Sequence, residues 1–402
     1  MPSRLLRSAS VLALTGGALL LGGPVDASVG VDQSYPVPAS RVLTLHGHGW
    51  GHGHGMSQYG AWGAARQGLT YRQIVGFYYP GTSWSTETGR VRVLVTSDTT
   101  TDVQISPAAG LTVRDLGAGR TYQLPTIAGA RRWKLDVDAA GRSVVSYLTS
   151  AGWQDYAPAG QATLVGDGEF RAAGPLTLWT PSGSRTFRGA LRAASPTPGS
   201  VQRDTVNVVS VERYVQGVLP SEMPTSWSME ALKAQAVAAR TYATWSRDLF
   251  PDRYYQICDT SSCQVYRGQS GESDRGNQAV AATAQQILTY GGVPAFTQFA
   301  SSSGGWLSAG SRPYLAAKQD PYDGAAPNPV HDWTVSLAAS RVQDAYPGIG
   351  RLTRLHVLRR EGGGQWGGRV VSVVLDGSKK DVTVSGDTFR SRFGLRSSWF
   401  AG

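Results

Sequence analysis

A lone acidic side chain between two prolines is the residue best suited to chemistry in this sequence. Glu222 lies in Pro220-Ser221-Glu222-Met223-Pro224, between an apolar run and an Ala-rich segment. A glycosidic bond breaks when a carboxylic acid protonates the leaving oxygen, and an apolar pocket keeps such an acid protonated near neutral pH. The prolines predict a defined, non-helical turn around Glu222, with Met223 and Trp227 as apolar walls. The alternative is a loop carboxylate that caps a neighbouring helix.

Two cations follow on the Ala-rich segment. Lys233 and Arg240 are seven residues apart, so in a helix they project from one face two turns apart. We assign both, together with Gln235, to substrate binding. A cation beside Glu222 would lower the pKa of that carboxyl, which opposes a role as general acid. Lys233 is therefore expected to hold substrate or to stabilise the deprotonated carboxylate in a later step. The alternative for the pair is a solvated helix face.

A Gly/His-rich stretch spans residues 46–60, in which glycines separate His46, His48, His52 and His54. Residues i and i+2 of an extended chain face the same way, so neighbouring histidines can pair on a metal. Because no Asp, Glu or Cys lies nearby, we favour glycines that let the backbone approach a ligand or a strand closely. We predict no metal and no cofactor. His54, Ser57 and Gln58 are assigned to the substrate cleft.

A serine-rich segment, Ser301-Ser302-Ser303-Gly304-Gly305, follows a predicted strand. It lacks the Gly-x-Ser-x-Gly pattern of a nucleophile elbow, and no Asp/His pair follows it at an obvious spacing. We therefore predict that Ser301, Ser302 and Ser303 donate hydrogen bonds to substrate rather than act as nucleophiles.

The N-terminus predicts export. Arg4 and Arg7 precede an apolar run, and small residues near Ala27 suit cleavage, so 1–27 is predicted to be a signal peptide. The alternative is an uncleaved membrane anchor, although the run is short for a span of ~20 residues. We expect a secreted, extracellular or cell-wall-associated protein whose only membrane contact is an uncleaved signal segment. Its net charge of +10 suits an anionic partner. Export makes nucleic acid an unsuitable partner.

The two cysteines of the chain, Cys258 and Cys263, form a close pair. In an exported chain we predict a disulfide that pins one loop. A zinc site needs about four ligands, and no histidine lies in or beside the loop. Gln264 and Tyr266, which follow the loop, are assigned to a sugar cleft, with strand-end packing as the alternative.

These residues must be positioned by a mixture of helices and short strands, so the predicted fold class is α+β. A helix from Ser228 to Arg247 is predicted beside the cleft, and a second helix is predicted over 276–286. Thr70-Tyr71-Arg72-Gln73 has the pattern of a capping box, and Gly291-Gly292 indicates a hairpin between Ile287–Tyr290 and Val293–Ala300. The predicted organisation is an extended leader (28–45), a Gly/His-rich segment with helices (46–85), a β-rich region (86–200) and a core (201–402).

Several of these motifs together resemble the SpoIID/LytB domain family. The resemblance rests on Val211–Val218, Pro220-Ser221-Glu222-Met223-Pro224, Glu230–Ala243, Cys263–Gly268, Ser301–Gly305 and the ending Gly386–Phe400, together with Gly53–Ala61. The family includes sporulation stage II protein D, a lytic transglycosylase that cuts glycan strands stripped of stem peptides, and LytB, a modifier of a wall amidase. It implies that Glu222 is the catalytic acid/base, accompanied by Lys233 and Arg240.

The sequence departs from the family in two ways. The His-Gly-x-Gly-Met-Ser-Gln-Tyr-Gly segment comes near the end of the family's enzyme but near the start of this chain, which looks like a circular permutation. We therefore expect 46–82 to pack beside Glu222 and residue 46 to lie near residue 402. Some relatives bind zinc at the Cys loop through histidines, whereas Ser262 precedes Cys263 here, which favours the disulfide.

The favoured hypothesis is a lytic transglycosylase that cuts between N-acetylmuramic acid and N-acetylglucosamine and leaves 1,6-anhydro ends. Such an enzyme needs a single carboxylate, which fits the lack of an evident second one. The alternatives are a non-catalytic wall-binding protein or a modifier of a wall amidase and, third, a metal hydrolase that uses the histidine stretch. The predicted partner is peptidoglycan, and the second candidate partner is a wall amidase.

Overall fold

The computed structural model describes residues 28–402 and shows an α+β protein rich in β-strands, which confirms the predicted fold class. The predicted signal peptide lies outside the described residues. Between residues 28 and 402, no helix is both long and apolar enough to cross a membrane. The α-helices are α1 (Gln58–Arg66), α2 (Tyr71–Tyr78), α3 (Val211–Glu222), α4 (Met229–Leu249), α5 (Asp274–Ala282), α6 (Ala339–Ala345) and α7 (Gly386–Phe393).

The strands are numerous and mostly short. Up to residue 194 they are β1 (Val29–Pro36), β2 (Val42–His48), β3 (Met56–Ser57), β4 (Ser83–Thr86), β5 (Arg90–Leu94), β6 (Val103–Ile105), β7 (Thr112–Asp115), β8 (Arg120–Gln123), β9 (Arg132–Val137), β10 (Ser143–Thr149), β11 (Gly152–Tyr156), β12 (Gly168–Arg171), β13 (Leu176–Thr180), β14 (Gly183–Phe187) and β15 (Ala190–Ala194). Further along they are β16 (Asp204–Ser210), β17 (Ile257–Cys258), β18 (Gln286–Tyr290), β19 (Val293–Pro294), β20 (Phe299–Ala300), β21 (Trp306–Leu307), β22 (Lys318–Gln319), β23 (Asp332–Ala338), β24 (Leu352–Arg360), β25 (Val370–Gly377), β26 (Val382–Ser385) and β27 (Phe400–Ala401).

The β-rich region shares a sheet with the segment that follows it. A seven-stranded sheet has the order β17-β5-β16-β15-β12-β7-β8, so β16 and β17, which lie beyond residue 200, pair with strands that lie before it. A second, six-stranded sheet has the order β11-β10-β9-β6-β13-β14. One hydrophobic core runs through both sheets and α1–α5, from Met56 to Leu315. The predicted boundary at residue 200 therefore falls within a continuous body.

A second hydrophobic core holds the last part of the chain. It joins β1 and β2 to β23–β25, α6 and α7, and its buried members include Leu45, Leu355 and Phe389. Within it, β2 pairs antiparallel with β27, so that His46 lies opposite Ala401. This confirms that residue 46 lies close to the end of the chain. The circular permutation that led to this expectation stays a prediction.

The Ala-rich helix is confirmed as α4, which spans Met229–Leu249 and follows Ser228 at its N-cap. The Ser228 side chain makes no capping hydrogen bond. Its alanines at 231, 234, 236, 238, 239 and 243 are fully buried. Their small side chains let α1, α2, α3 and α5 pack closely around α4. The predicted capping box is also confirmed, because Thr70 and Gln73 make both of its hydrogen bonds at the start of α2.

The predicted non-helical turn around Glu222 is wrong. Pro220 lies inside α3, and Glu222 is the last residue of that helix. Pro220 lies two residues before the last residue of the helix. The helical hydrogen bonding continues beyond it, since the N–H of Met223 donates to the carbonyl oxygen of Leu219 (3.0 Å). The helix stops because Pro224 drives the residue before it, Met223, into an extended conformation (φ −136°, ψ 134°). Only the second proline therefore acts as predicted.

Two predicted boundaries also change. The second helix, α5, begins at Asp274 and ends at Ala282, because Ser273 caps it earlier than expected by accepting from the N–H of Gly276. The hairpin around Gly291-Gly292 forms, but its second arm, β19, ends at Pro294. Ala295 still donates to the carbonyl oxygen of Leu288 (2.9 Å), after which the pairing of the two arms ends. Further along, β20 (Phe299–Ala300) pairs in parallel with β3 of the Gly/His-rich segment.

Candidate active site

Glu222 faces a cavity of about 550 Å³. Its position at the end of α3 turns the side chain towards a wall built from distant parts of the chain. The lining residues are Trp50, Gly51, His52, Gln58, Glu222, Tyr242, Ser261, Ser262, Cys263, Gln298, Phe299, Ala300, Ser301 and Arg390. Within residues 28–402, Glu222 is the only carboxyl that lines this cavity. Gln58, which comes from the Gly/His-rich segment, confirms that this segment packs beside Glu222.

The Glu222 carboxyl is partly buried and has few donors. Its Oε1 accepts a hydrogen bond from the main-chain N–H of Val265 (2.5 Å), and the side chain of Gln58 also donates to it. Burial raises the pKa of Glu222, and these two hydrogen bonds counteract the rise only in part. The carboxyl therefore keeps its proton to a higher pH than an exposed glutamate, as a general acid requires.

The loop that carries Val265 is held by a disulfide. Cys258 and Cys263 are bonded, which confirms the predicted bridge. The bridge closes the loop against the cavity, so that Ser261, Ser262 and Cys263 form one wall. Val265 follows two residues later and directs its N–H at Glu222. Within residues 28–402, no group of three or more His, Cys, Asp and Glu side chains is arranged to hold a metal ion.

The glycines of the Gly/His-rich stretch bring two backbone segments into contact. A Cβ on Gly49 would lie 2.7 Å from the carbonyl oxygen of Ser302, and one on Gly55 would lie 2.0 Å from that of Gln298. Both glycines also have positive φ, 71° and 67°. No other residue fits there. This close approach to another strand is the role predicted for the glycines, and it places Trp50–His52 against Gln298–Ser301 at the cavity.

Among the histidines, His52 rather than His54 lines the cavity. The two rings stack with their centroids 5.0 Å apart, and the Nδ1 of His54 lies 3.3 Å from the carbonyl oxygen of Ser308. Burial, with the neighbouring charges of His54 and Arg369, lowers the pKa of His52 to about 3. His52 is therefore neutral at physiological pH and adds no charge to the cavity.

The serines divide between the cavity and a buried carboxylate cluster. Ser301 lines the cavity. Ser57 and Ser302 are buried and donate to Asp323 (2.5 and 2.8 Å), whereas Ser303 donates to Asp320 (2.8 Å). Ser57 also caps α1 by accepting from the N–H of Gly60. These three hydroxyls are thus engaged within the protein, and the structure places them behind the cavity wall.

The two cations of α4 lie away from the cavity. Lys233 pairs with Glu230 (2.7 Å) one helical turn before it. Arg240 is completely buried and forms a bidentate ion pair with Glu212 (2.7 and 2.9 Å). Gln235 is also fully buried, and its amide has no hydrogen-bond partner among residues 28–402. The guanidinium of Arg240 therefore lies within the α3–α4 packing and does not line the cavity, and its predicted contact with substrate has no support from this position.

Gln264 and Tyr266 are likewise buried beneath the Cys loop. Gln264 accepts from the hydroxyl of Tyr214 (3.0 Å), and Tyr266 donates to Asn207 (2.8 Å). A Cβ on Gly217 would lie 2.6 Å from the Tyr266 ring, so this tyrosine packs against α3. In this structure the strand-end packing alternative describes both residues, and they support the segment that holds Val265.

Sequence reasoning missed several residues of the cavity, namely Trp50, His52, Tyr242, Gln298 and Arg390. Met223 and Trp227, the predicted apolar walls, are buried in the main core, and Trp227 stacks on Trp62 with centroids 4.6 Å apart. The spacing of the Gly/His-rich stretch could have indicated His52, because residues two apart in an extended chain face the same way and His54 was assigned to the cleft. Nothing local to Tyr242 or Gln298 indicates that either faces a cavity.

Comparison with known proteins places the chain in a family. The family model of the stage II sporulation protein SpoIID matches residues 200–290. Stage II sporulation protein D of Bacillus amyloliquefaciens is 32% identical over 247 residues, which cover 54% of this chain and 68% of that protein. The Bacillus subtilis protein of the same name is 31% identical over 240 residues, 52% of this chain and 65% of that protein.

A shorter match links the chain to a protein with a different name. The amidase enhancer of Bacillus subtilis is 39% identical over 134 residues, which cover 32% of this chain but 17% of the enhancer. The chain thus spans less than a fifth of that relative, and the match does not extend to most of it. The family-model match and the longer matches to stage II sporulation protein D show that the chain belongs to the SpoIID family.

Proposed function

We propose that this protein is an exported peptidoglycan lytic transglycosylase with Glu222 as its single acid/base. The observation that carries the proposal is that Glu222 alone, among the described residues, offers a carboxyl to the cavity, and that burial raises its pKa. The glycan strand is cut between N-acetylmuramic acid and N-acetylglucosamine. The net charge of +10 suits an anionic wall polymer, and the location follows as secreted or wall-associated.

The reaction proceeds in two proton transfers at one carboxyl. Protonated Glu222 donates its proton to the glycosidic oxygen as the bond from that oxygen to the muramoyl C1 breaks. The 6-hydroxyl of the same muramoyl unit then attacks C1, and its proton passes to the Glu222 carboxylate. A 1,6-anhydro ring forms, and the acid is regenerated without water. The hydrogen bonds from Val265 and Gln58 stabilise the carboxylate between the two transfers.

Other predicted site residues are assigned by their place around the cavity. We propose that Gln58 and Ser301 contact the glycan, because both line the cavity. The exposed ring of Trp50, at 49% of its surface, is suited to stack on a sugar face. The remaining residues are assigned to positioning the site rather than to touching the sugar: His54, Ser57, Lys233, Gln235, Arg240, Gln264, Tyr266, Ser302 and Ser303.

The test is the appearance of anhydro-muramoyl ends. Peptide-free glycan strands are digested with the wild-type protein, with Glu222→Gln and with Glu87→Gln, an acidic residue outside the cavity. Mass spectrometry is expected to show anhydro ends with the wild type and with Glu87→Gln. Loss of the general acid is expected to reduce the rate by about 10²–10⁴-fold in Glu222→Gln. Anhydro ends formed by Glu222→Gln at the wild-type rate would refute the assignment.

A second candidate is a modifier of a wall amidase. It is favoured by the similarity to the amidase enhancer. In this case the protein binds wall glycan, and this activity does not require Glu222. The discriminating result is an increase in the rate of a purified wall amidase on intact walls that Glu222→Gln matches, with no anhydro ends from either protein.

A further inference from the structure

The cavity contains one cation whose charge is unmatched. Arg390, on α7, lines the cavity that Glu222 faces. Its side chain is partly buried, yet no hydrogen bond or ion pair joins it to any group within residues 28–402. Guanidinium groups that are partly withdrawn from water normally pair with a carboxylate or a carbonyl, since leaving them unpaired costs free energy. Arg390 therefore has donors available for a ligand in the cavity.

The surroundings of Arg390 add positive charge rather than remove it. Burial lowers the pKa of Arg369 to about 10, and the charge of Arg390 contributes to this shift and, to a lesser degree, to the lowered pKa of His52. Arg369 is buried, and among the described residues its guanidinium group makes one hydrogen bond, to the carbonyl oxygen of Gly51 (2.9 Å) on the cavity wall. Asp387 and Glu361 act on Arg369 electrostatically, but neither pairs with Arg390.

No other lining residue from the described part of the chain compensates this charge. Among residues 28–402, Glu222 is the only acidic residue in the lining, and its raised pKa favours the neutral form. The cavity therefore combines a protonatable carboxyl with an unpaired guanidinium. This combination suits a substrate that carries its own anion near the bond to be cut. A neutral sugar polymer would leave Arg390 without a partner.

We propose that Arg390 binds the lactyl carboxylate of the muramoyl unit that occupies the cavity, so that it is a specificity-determining residue. This inference rests on the proposed function. The lactyl group of N-acetylmuramic acid ends in a free carboxylate when no peptide is attached and in a neutral amide when one is. A guanidinium recognises a carboxylate with two parallel hydrogen bonds, which an amide cannot accept in the same way. Arg390 thereby distinguishes bare from peptide-bearing or capped muramoyl units.

The test compares two forms of one glycan. Peptide-free strands are used either with free lactyl carboxylates or after conversion of the carboxylates to methyl amides. For the wild type, we expect KM to be about tenfold lower for the free acid, the effect of one charge-assisted pair. Arg390→Gln is expected to raise KM for the free acid to the value for the methyl amide, with kcat little changed. Arg390→Lys should recover part of the preference, because it keeps the charge without the planar fork.

Arg392→Gln is the matched control, because Arg392 lies on the exposed side of the same helix. This variant also loses one positive charge, but it should retain the tenfold lower KM for the free acid. Equal KM values of the wild type for both glycans would overturn the role of Arg390 while leaving the transglycosylase intact.

A binding measurement separates this failure from failure of the proposed function. Calorimetric titration of Glu222→Gln with short fragments of the two glycans does not depend on cleavage. Absence of anhydro ends would refute the transglycosylase, whereas a preference for the free acid that Arg390→Gln abolishes would still support carboxylate binding. Equal affinity for the two fragments would overturn it.

Discussion

Glu222 and Asp323 are two of the carboxyl groups that are largely withdrawn from water, and their pKa values shift in opposite directions. Burial raises the pKa of Glu222, which accepts hydrogen bonds from Val265 and Gln58. Burial acts on Asp323 in the same way, but hydrogen bonds from His331, Ser57 and Ser302 outweigh it and hold its pKa below the ordinary value. The main-chain N–H groups of Ser303 and Gly304 and the amide of Asn328 also donate to Asp323.

The difference between Glu222 and Asp323 shows that the donors around each carboxyl, and not burial alone, set the direction of its pKa shift. A carboxylate saturated with donors stays ionised and has no free lone pair for a substrate. Asp323 therefore fastens the Ser301–Gly305 segment, one wall of the cavity, to α1. Glu222 has fewer donors and is accessible, so it can exchange a proton with a ligand. Asp323 thus stabilises the structure of the site, whereas Glu222 is available for chemistry.

The largest expected effect comes from the same chemical change at both positions. Asp323→Asn replaces an acceptor oxygen with a donor that faces other donors, and is expected to lower the free energy of unfolding by about 3–5 kcal/mol. Glu222→Gln keeps an acceptor for the Val265 N–H and should change it by less than about 1 kcal/mol. Urea denaturation monitored by fluorescence measures both. Equal losses would show that the two carboxyls do not differ in their structural role.

The disulfide provides the next largest effect, because it holds the loop that supplies one of the few donors to Glu222. Replacing both cysteines, Cys258→Ser with Cys263→Ser, frees a short loop and is expected to cost about 2 kcal/mol of stability. The rate of glycan cleavage should also fall, whereas the Asp323 cluster should keep its fold. Thermal denaturation and hydrogen exchange at Ser302–Gly304 check the two parts. Loss of protection at those amides would connect the two regions instead of separating them.

Stability should depend on pH in opposite ways at the two sites. The folded-state pKa of Glu222 is raised, so the wild type loses stability relative to Glu222→Gln as pH rises through the ordinary glutamate value of about 4.5 towards the folded value. The pKa of Asp323 is lowered, so its contribution is present above its ordinary value and is lost as pH falls through the folded value. Denaturation curves of both amide variants between pH 3 and pH 8 test these signs.

His331 adds a third dependence at the Asp323 site. Its hydrogen bond to Asp323 (2.8 Å) raises its pKa, so its contribution is complete below its ordinary value of about 6.5 and disappears as pH rises through the folded value. His331→Gln should remove the loss of stability that occurs as the pH rises through the folded-state pKa of His331. It should not change the pH dependence of stability that is assigned to Glu222.

The smallest expected effect sharpens the role of the donors at Glu222. Gln58→Leu removes a hydrogen bond to the carboxylate, so the pKa of Glu222 should rise further. The alkaline limb of the pH profile of kcat/KM should therefore move to higher pH, while the maximal rate falls by less than about tenfold. A limb that stays in place would show that Gln58 does not set the protonation of the acid.

How far the sequence predicts this protein depends on the range of each interaction. Helix α4, the capping box at Thr70 and the turn at Gly291-Gly292 follow from neighbouring residues, since caps, helical periodicity and positive φ are local properties. The same holds for the disulfide, whose cysteines are five residues apart. The helical position of Glu222 does not follow from the local sequence, because the cost of Pro220 depends on where it lies in the helix and not only on its presence.

The sequence by itself determined the α+β class, the family motifs and the carboxyl best suited to acid chemistry, because each depends on short segments. Only the tertiary structure decided which polar residues reach the cavity. Arg240 pairs with Glu212, 28 residues earlier, and Ser57 donates to Asp323, 266 residues later, whereas Arg390 lines the cavity without a partner among residues 28–402. Such partnerships arise from packing between distant segments, so no local pattern specifies them.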